Sequence, residues 1–450
     1  MSATPEELRR PASAWERFAR RFEYFYAMFA IMIYEGALTQ SFRYYRGEDR
    51  LLAGETEITA TVAQAIILSL LVLLLWVKRR RFIQALRDMV PYMIILSLCA
   101  ISTVWSDYPF PTLRRSVTLS SCVFFGVYCY LTFGLRGTVA LVGRATVILA
   151  LMSLVVFVAI PQVGHETAFG YESAMRGVYS QKNNMGEAML LAISCYVYLF
   201  IDGSLSPWRA VGTVGLLMFC ILLSQSATSL VLASIVIAVG AIFYSSRNWR
   251  LRLVLVYFFA VVAVLVAVFL VADSAAVFAV LNRDPSFTGR LPLWDMSMQA
   301  IMRRPLLGYG YSGFWNQDSL IVQQIWQAIA WEAPSAHNGY LDIILQIGFV
   351  GLGFYAWVWG KTIVLSLSAW RESSLPEAQW ILLFMLINVL LNLDEGPLPY
   401  PDQFTVLMPG VLLLLEAWRR DRRRQALPVG GRRPAPQVFA GGRWHAGQRS

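Results

Sequence analysis

The chain has 450 residues, 57% of them apolar and only 15% charged, with a net charge of +10. A soluble chain is roughly a quarter charged. Here apolar runs of about twenty residues recur, each long enough to cross a bilayer core, so a string of water-soluble domains is excluded in favour of an all-α membrane bundle.

In chain order, a basic stretch at residues 9–21 precedes the first apolar run, and no small-residue cleavage site follows it. A retained first helix is therefore expected, rather than a cleaved leader. Apolar spans are predicted at 22–40, 58–77, 89–105, 112–133, 138–160, 184–201, 210–224, 229–244, 251–272, 338–360, 379–393 and 403–418. This gives about twelve transmembrane helices. The basic residues at 78–81, Arg136, Arg209, 247–252, Lys361, Arg371 and 419–424 all fall on one side of these spans. That side is expected to be cytoplasmic, with both termini there. Three regions follow: a cytoplasmic segment 1–21, a membrane domain 22–418, and a basic tail 419–450 whose Gly, Pro and Arg content suggests disorder. The tail reads as a lipid-facing, topology-fixing element, and no nucleic-acid partner is expected.

Two outer loops stand out, 161–183 and 273–337. The second is too long for a simple turn. Within it, residues 291–304 are amphipathic, with Pro292 near the first turn and Leu293, Met296, Ala300 and Ile301 on one face. A helix on the membrane surface or capping the bundle is predicted.

The residues that break the charge rule are the informative ones. Arg114 and Arg115 lie at the outer end of the fourth span, Arg176 and Lys182 in the first outer loop, and Arg283, Arg290, Arg303 and Arg304 in the second. Such a set suits an anionic ligand, because the guanidinium fork donates two parallel hydrogen bonds and keeps its charge. The plain alternative for any one of them is pairing with a loop acid such as Asp107, Asp284 or Asp295. His337 sits where the long loop enters the tenth span, followed by Asn338 and Asp342. It reads either as a general base or as a hydrogen-bonded interfacial histidine. His165 and His445 have no evident role. The five cysteines all fall inside apolar runs without metal spacing. The sequence Gly308-Tyr-Gly-Tyr-Ser-Gly313 fits G-x-G-x-x-G but follows no strand, so a dinucleotide site is rejected. Membrane-embedded ionisable residues are few, chiefly Glu35, Arg144 and Glu187, which is thin for a proton-coupled transporter.

Four stretches carry a resemblance. They are Trp105-Ser-Asp-Tyr-Pro109 with Thr112-Leu-Arg-Arg115; Arg176-Gly177 with Lys182-Asn183 and Gly186; Gly289-Arg290 with Trp294 and Arg304-Pro-Leu-Leu-Gly-Tyr-Gly310; and His337-Asn338-Gly339-Tyr340-Leu341 with Gly348, Gly351 and Leu352. In this order they resemble the O-antigen ligase/O-antigen polymerase superfamily, and within it the exopolysaccharide polymerases of the succinoglycan type. The resemblance implies a multi-helix glycosyltransferase of the bacterial inner membrane with its active site on the periplasmic face, so that 273–337 would be a periplasmic loop. Its donor would be a glycan linked through diphosphate to a polyprenol, its acceptor a glycan or a lipid, and a chain-length regulator a further candidate partner. It implies His337 as the base, Arg290 and Arg176 as diphosphate ligands, and Lys182, Arg114 and Arg115 as supporting charges. No cofactor and no metal are expected, although Asp394 and Glu395 on the outer side are the one pair of acids that could hold magnesium. The anomeric centre would invert. Alternatives are a ligase moving a finished glycan to a lipid, and a lipid-linked oligosaccharide flippase or exporter.

Overall fold

The computed structural model describes residues 13–37, 58–167, 171, 173–245, 287–373, 376–396 and 400–426. The predicted span 251–272, the first part of the second outer loop with Arg283, and the tail beyond 426 lie outside the described residues.

The described residues are nearly all helical: α1 (Ala14–Tyr34), α2 (Ile58–Val77), α3 (Arg79–Asp88), α4 (Val90–Ile101), α5 (Pro109–Ala159), the single turn α6 (Pro161–Gly164), α7 (Lys182–Ile201), α8 (Pro207–Ser224), α9 (Ala227–Ser245), α10 (Phe287–Arg303), α11 (Leu320–Ile329), α12 (Gly339–Ser373), α13 (Pro376–Asp394) and α14 (Gln403–Ala426). Six of these are long and apolar enough to cross a membrane, or seven if α2 and α3, bent by 99°, form one span. The protein is an integral membrane protein. Its large apolar side chains Val72, Leu73, Trp76, Val155, Val158, Val211 and Phe219 are exposed on the outside of the bundle, while Gln379, Asn388, Asn392 and Thr146 are buried within it. A bilayer rather than water is the solvent for such a surface.

Residues 112–133 and 138–160 are two helical segments, as predicted, and within α5 they are separated at Gly134, whose backbone is not helical (φ 69°, ψ 177°). The span 89–105 appears as α4 continued by a 3-10 turn, together Val90–Val104. Its end is fixed by tertiary contacts, since Ser102 Oγ accepts the N–H of Tyr311 at 2.8 Å. At the start of the chain, Ser13 and Glu16 form a reciprocal capping box, which sets where α1 begins.

The second outer loop is not extended chain. Beyond residue 286 it folds into α10 and α11, which bury Leu293, Ala300, Ile301, Val322 and Ile325 against Ile344 and Leu345 at the head of α12. Leu293, Ala300 and Ile301 thus turn inward as the amphipathic pattern predicts, and α10 caps the bundle.

The helix α12 is broken at Ile347–Gly348, where Gly348 has φ 69° and ψ −174°. A break inside a membrane helix strands backbone groups that no water can satisfy. Here residues 305–310 supply the missing partners: Tyr309 N donates to Leu345 O (2.8 Å), Gly310 N to Gln346 O (2.9 Å), Phe349 N to Pro305 O (2.9 Å) and Val350 N to Leu306 O (3.3 Å). The G-x-G-x-x-G segment is therefore a plug for a helix break. Gly348 occupies a backbone region essentially restricted to glycine, and a Cβ there would stand 2.0 Å from Leu306 O. Gly348→Ala is expected to cost at least ~2 kcal/mol, read as a lowered melting temperature in detergent. Gly353→Ala is the control, since nothing lies within 4 Å of its Cβ. It should be neutral or slightly stabilising.

Candidate active site

The four motif stretches, far apart in sequence, meet at one end of the bundle. The first and third interlock directly. Trp105 Nε1 donates to Leu307 O (3.1 Å), Arg304 pairs with Asp107 (3.1 Å), and Arg115 Nη1 donates to Ser312 O and Ser312 Oγ. The second ends in α7, where Lys182 N donates to Glu166 Oε2 (2.8 Å). Next to it, Asn183 reaches the fourth stretch through a hub, Glu395.

Glu395 follows the last residue of α13 and gathers three donors. Asn183 Nδ2 donates to Oε1 (2.6 Å), Arg290 Nη2 to Oε1 (3.2 Å), and His337 Nδ1 lies 3.0 Å from Oε2. Arg290 also pairs with the Asp394 carboxylate and donates to Asp394 O (2.8 Å), while Thr228 Oγ1 bonds the other Asp394 oxygen. Burial alone would push the Glu395 carboxyl up, but His337, Arg290 and Asn183 outweigh it and hold it well below the usual carboxylate range. An ionised carboxylate can only accept, so Nδ1 of His337 carries the shared proton. When the imidazole is neutral, Nε2 is then its basic nitrogen.

The backbone around His337 is held as firmly as its ring. His337 itself has φ 46°, a strained left-handed conformation. Asn338 caps α12, its Oδ1 accepting Tyr340 N and Leu341 N (3.1 Å each), and its Nδ2 donates to Leu393 O (3.1 Å). Asp342 Oδ1 accepts Ala336 N (3.1 Å) and Trp315 Nε1 (2.8 Å). Gly339 N donates to Glu395 O (3.1 Å), and a Cβ on Gly339 would stand 1.8 Å from Asn392 Oδ1, so α12 and α13 can meet this closely only through glycine. The Asn338 and Asp342 side chains fix the turn without being bonded to the imidazole.

A cavity of about 920 Å³ opens beside this network. His337, Glu395, Arg114, Arg115, Glu187 and Asp402 are among its lining residues, together with apolar Leu68, Phe110, Leu113 and Val117. Of the predicted cations, Arg114 and Arg115 therefore line the cavity. Arg290 is one step behind it, engaged with Asp394 and Glu395. Arg176 is buried and donates to Val163 O (3.0 Å), Gln162 O (3.3 Å) and Thr167 Oγ1 (3.4 Å). Lys182 Nζ donates to Gln225 O (3.3 Å) and stands over the Tyr171 ring at 4.1 Å. Neither Arg176 nor Lys182 is among the lining residues. His165, without evident role in the sequence, is stacked on Phe157. The embedded Glu35 accepts from Tyr179 OH (2.9 Å) and Thr146 Oγ1 (2.8 Å), and Arg144 donates to Tyr24 OH (3.1 Å).

Residues 212–356, from α8 into α12 and including the third and fourth motif stretches, match the model of the O-antigen ligase family. That region is similar to the O-antigen ligase family. The first two motif stretches and Glu395 lie outside it. The exopolysaccharide production protein ExoQ of Rhizobium meliloti is 27% identical over 266 residues, covering 56% of this chain and 59% of that protein. The general O-oligosaccharyltransferase of Acinetobacter baylyi is 25% identical over 274 residues, 56% of this chain and 45% of that protein. The chain thus spans about half the length of these relatives. These similarities, together with the apolar helices, relate the chain to membrane proteins of exopolysaccharide production and oligosaccharide transfer.

What the sequence reading missed is the role of Glu395, which it saw only as a magnesium candidate. No spacing rule links it to His337, 58 residues earlier. The available signal was an acid pair, Asp394-Glu395, at the end of an apolar run.

Proposed function

We propose that the chain is a membrane glycosyltransferase that joins polyprenyl-diphosphate-linked oligosaccharide units into an exopolysaccharide or O-antigen. The observation that carries this is the pairing of His337 with an ionised Glu395 on the wall of a cavity that also exposes Arg114 and Arg115. The acceptor hydroxyl gives its proton to Nε2 of His337 as its oxygen bonds to the anomeric carbon. The bond from that carbon to the diphosphate oxygen breaks, and the lipid diphosphate leaves with the electron pair. Arg114 and Arg115 meet the charge that develops on it. Arg290 acts at one remove, by holding Glu395. Attack opposite the leaving group inverts the anomeric centre, and arginines in place of a metal neutralise the leaving group. The cavity end faces the periplasm and both termini the cytoplasm of an inner-membrane protein. The clustering of Lys78–Arg81 and Arg419–Arg424 at the other end supports this orientation. Membrane lipid surrounds the chain, and a chain-length regulator would act on its product.

The relative named for exopolysaccharide production favours polymerisation over ligation. The purified protein in nanodiscs, given lipid-linked oligosaccharide alone, should yield a ladder of products spaced by one repeat unit and release polyprenyl diphosphate. Transfer only on addition of a separate lipid acceptor would indicate a ligase. Movement of labelled lipid across the bilayer without a new glycosidic bond would indicate a flippase. Arg114→Lys should raise the donor KM about tenfold, since lysine offers a point charge without the fork. An unchanged KM would remove Arg114 from diphosphate binding.

A further inference from the structure

The rim that carries His337 is built from four tryptophans, and three of them are used structurally. Trp294 Nε1 donates to Ala336 O (2.9 Å), Trp315 Nε1 to Asp342 Oδ1 (2.8 Å) and Trp326 Nε1 to Ala333 O (2.9 Å). Each indole N–H pins the 333–342 segment from a different side. All three are buried or partly buried in the cap. The fourth, Trp331, is different. The residue is 40% exposed, its indole N–H makes no hydrogen bond among the described residues, and it does not line the 920 Å³ cavity. Yet its ring centroid is 5.5 Å from that of the His337 imidazole, at an interplanar angle of 48°. The loop it stands on turns at Ala330 (φ 60°) and is closed by the Trp326–Ala333 bond, which holds the loop backbone beside His337.

An exposed indole beside a general base has a specific chemical use. The face of a pyranose presents C–H bonds of partial positive character, and the indole face is negative. Stacking the two orients a sugar ring without ordering a flexible side chain. We propose that Trp331 is the platform on which the acceptor sugar stacks, placing its hydroxyl at Nε2 of His337. This rests on the glycosyltransferase reading and extends it by identifying the acceptor as a carbohydrate and dividing the site in two. Donor diphosphate lies on the arginine side of the cavity, and the acceptor ring lies on Trp331. The competing explanation is an interfacial tryptophan that touches lipid headgroups.

The test uses the full-length protein in nanodiscs. Its probe is the oligosaccharide released by mild acid from the host's own polysaccharide, which carries no lipid and no diphosphate. Binding is measured by calorimetry in the His337→Ala background, so that catalysis is not required. Trp331→Ala should weaken binding about tenfold or more, while Trp331→Phe, which keeps an aromatic face, should recover most of it. In the active protein Trp331→Ala should raise the acceptor KM by a similar factor, with the donor KM and kcat little changed. The melting temperature should stay near that of the unmodified protein, because an exposed ring contributes little packing. Equal oligosaccharide binding by the Ala variant and its parent would overturn the platform while leaving the glycosyltransferase reading intact. Loss of kcat and melting temperature together, with acceptor affinity unchanged, would show a structural or lipid-facing tryptophan instead. Absence of oligosaccharide binding to the parent, in a protein that still transfers glycan to a lipid acceptor, would also overturn it.

Discussion

His337→Gln inserts and folds but turns over lipid-linked donor about 10²–10⁴-fold more slowly than the unmodified protein; that is the expected result. Glutamine can keep the contact with Glu395, because its side-chain amide N–H can replace Nδ1–H at the 3.0 Å distance. It cannot take a proton from an acceptor hydroxyl at neutral pH. If His337 only held Glu395 and Arg290 in place, the substitution would be nearly silent. The measurement is a single-turnover rate on purified donor, with the melting temperature recorded alongside. Near-normal turnover by the Gln variant would remove His337 from proton transfer and leave substrate positioning as the source of catalysis.

Glu395→Gln should be almost as damaging to rate, for a different reason. Glu395 positions the base. Its carboxylate dictates that Nδ1 holds the proton, and it stabilises the imidazolium formed during transfer. An amide can turn its N–H toward Nδ1 instead, which moves the proton to Nε2 and leaves no base facing the acceptor. A loss of about 10²–10⁴-fold follows, concentrated in kcat. A second readout separates this from mere unfolding. The Glu395 carboxyl is held below its ordinary range in the folded protein. Its contribution to stability is therefore fully present above the unfolded-state value of about 4.3 and is lost as pH falls toward the depressed folded value. The gap in melting temperature between Glu395→Gln and the parent should close as pH falls below about 4.3. A gap that does not narrow in acid, or a Gln variant with the parent's kcat, would show that the charge on Glu395 does not matter.

Much of the bundle was legible because the bilayer leaves few choices. A run such as 210–224 has only one way to satisfy its backbone, and α8 and α9 appear where the apolar runs at 210–224 and 229–244 lie. Less legible were joints set by single residues. Nothing in the composition distinguishes Gly134, where the helix breaks between two predicted spans, from glycines that sit quietly inside helices. The ten-residue α11 is too short for its periodicity to stand out, and it is held by the cap. Of the predicted site residues, the structure brings His337, Arg114, Arg115 and Arg290 together; the arginines stand out as exceptions to the charge pattern, and His337 by its place where a loop enters a helix and by the resemblance. Their partners do not, because Glu395, Asn183 and Thr228 arrive from three other helices and pairing of this kind leaves no mark in local sequence. The fork chemistry that suits arginine to a diphosphate equally suits it to Asp394 and Glu395, and at Arg290 the fold uses it for those acids.

The break in α12 has a mechanical consequence. Residues 305–310, which lead directly out of α10, bond Leu345 and Gln346 before the interruption at Ile347–Gly348 and Phe349 and Val350 after it, so they splint the two halves of α12 across the joint. A tilt of the upper half about Gly348 would have to break these bonds as a set. Amide exchange should report this as shared protection: the amides of Tyr309, Gly310 and Phe349 should open together, at one rate, and faster than those deep in α7.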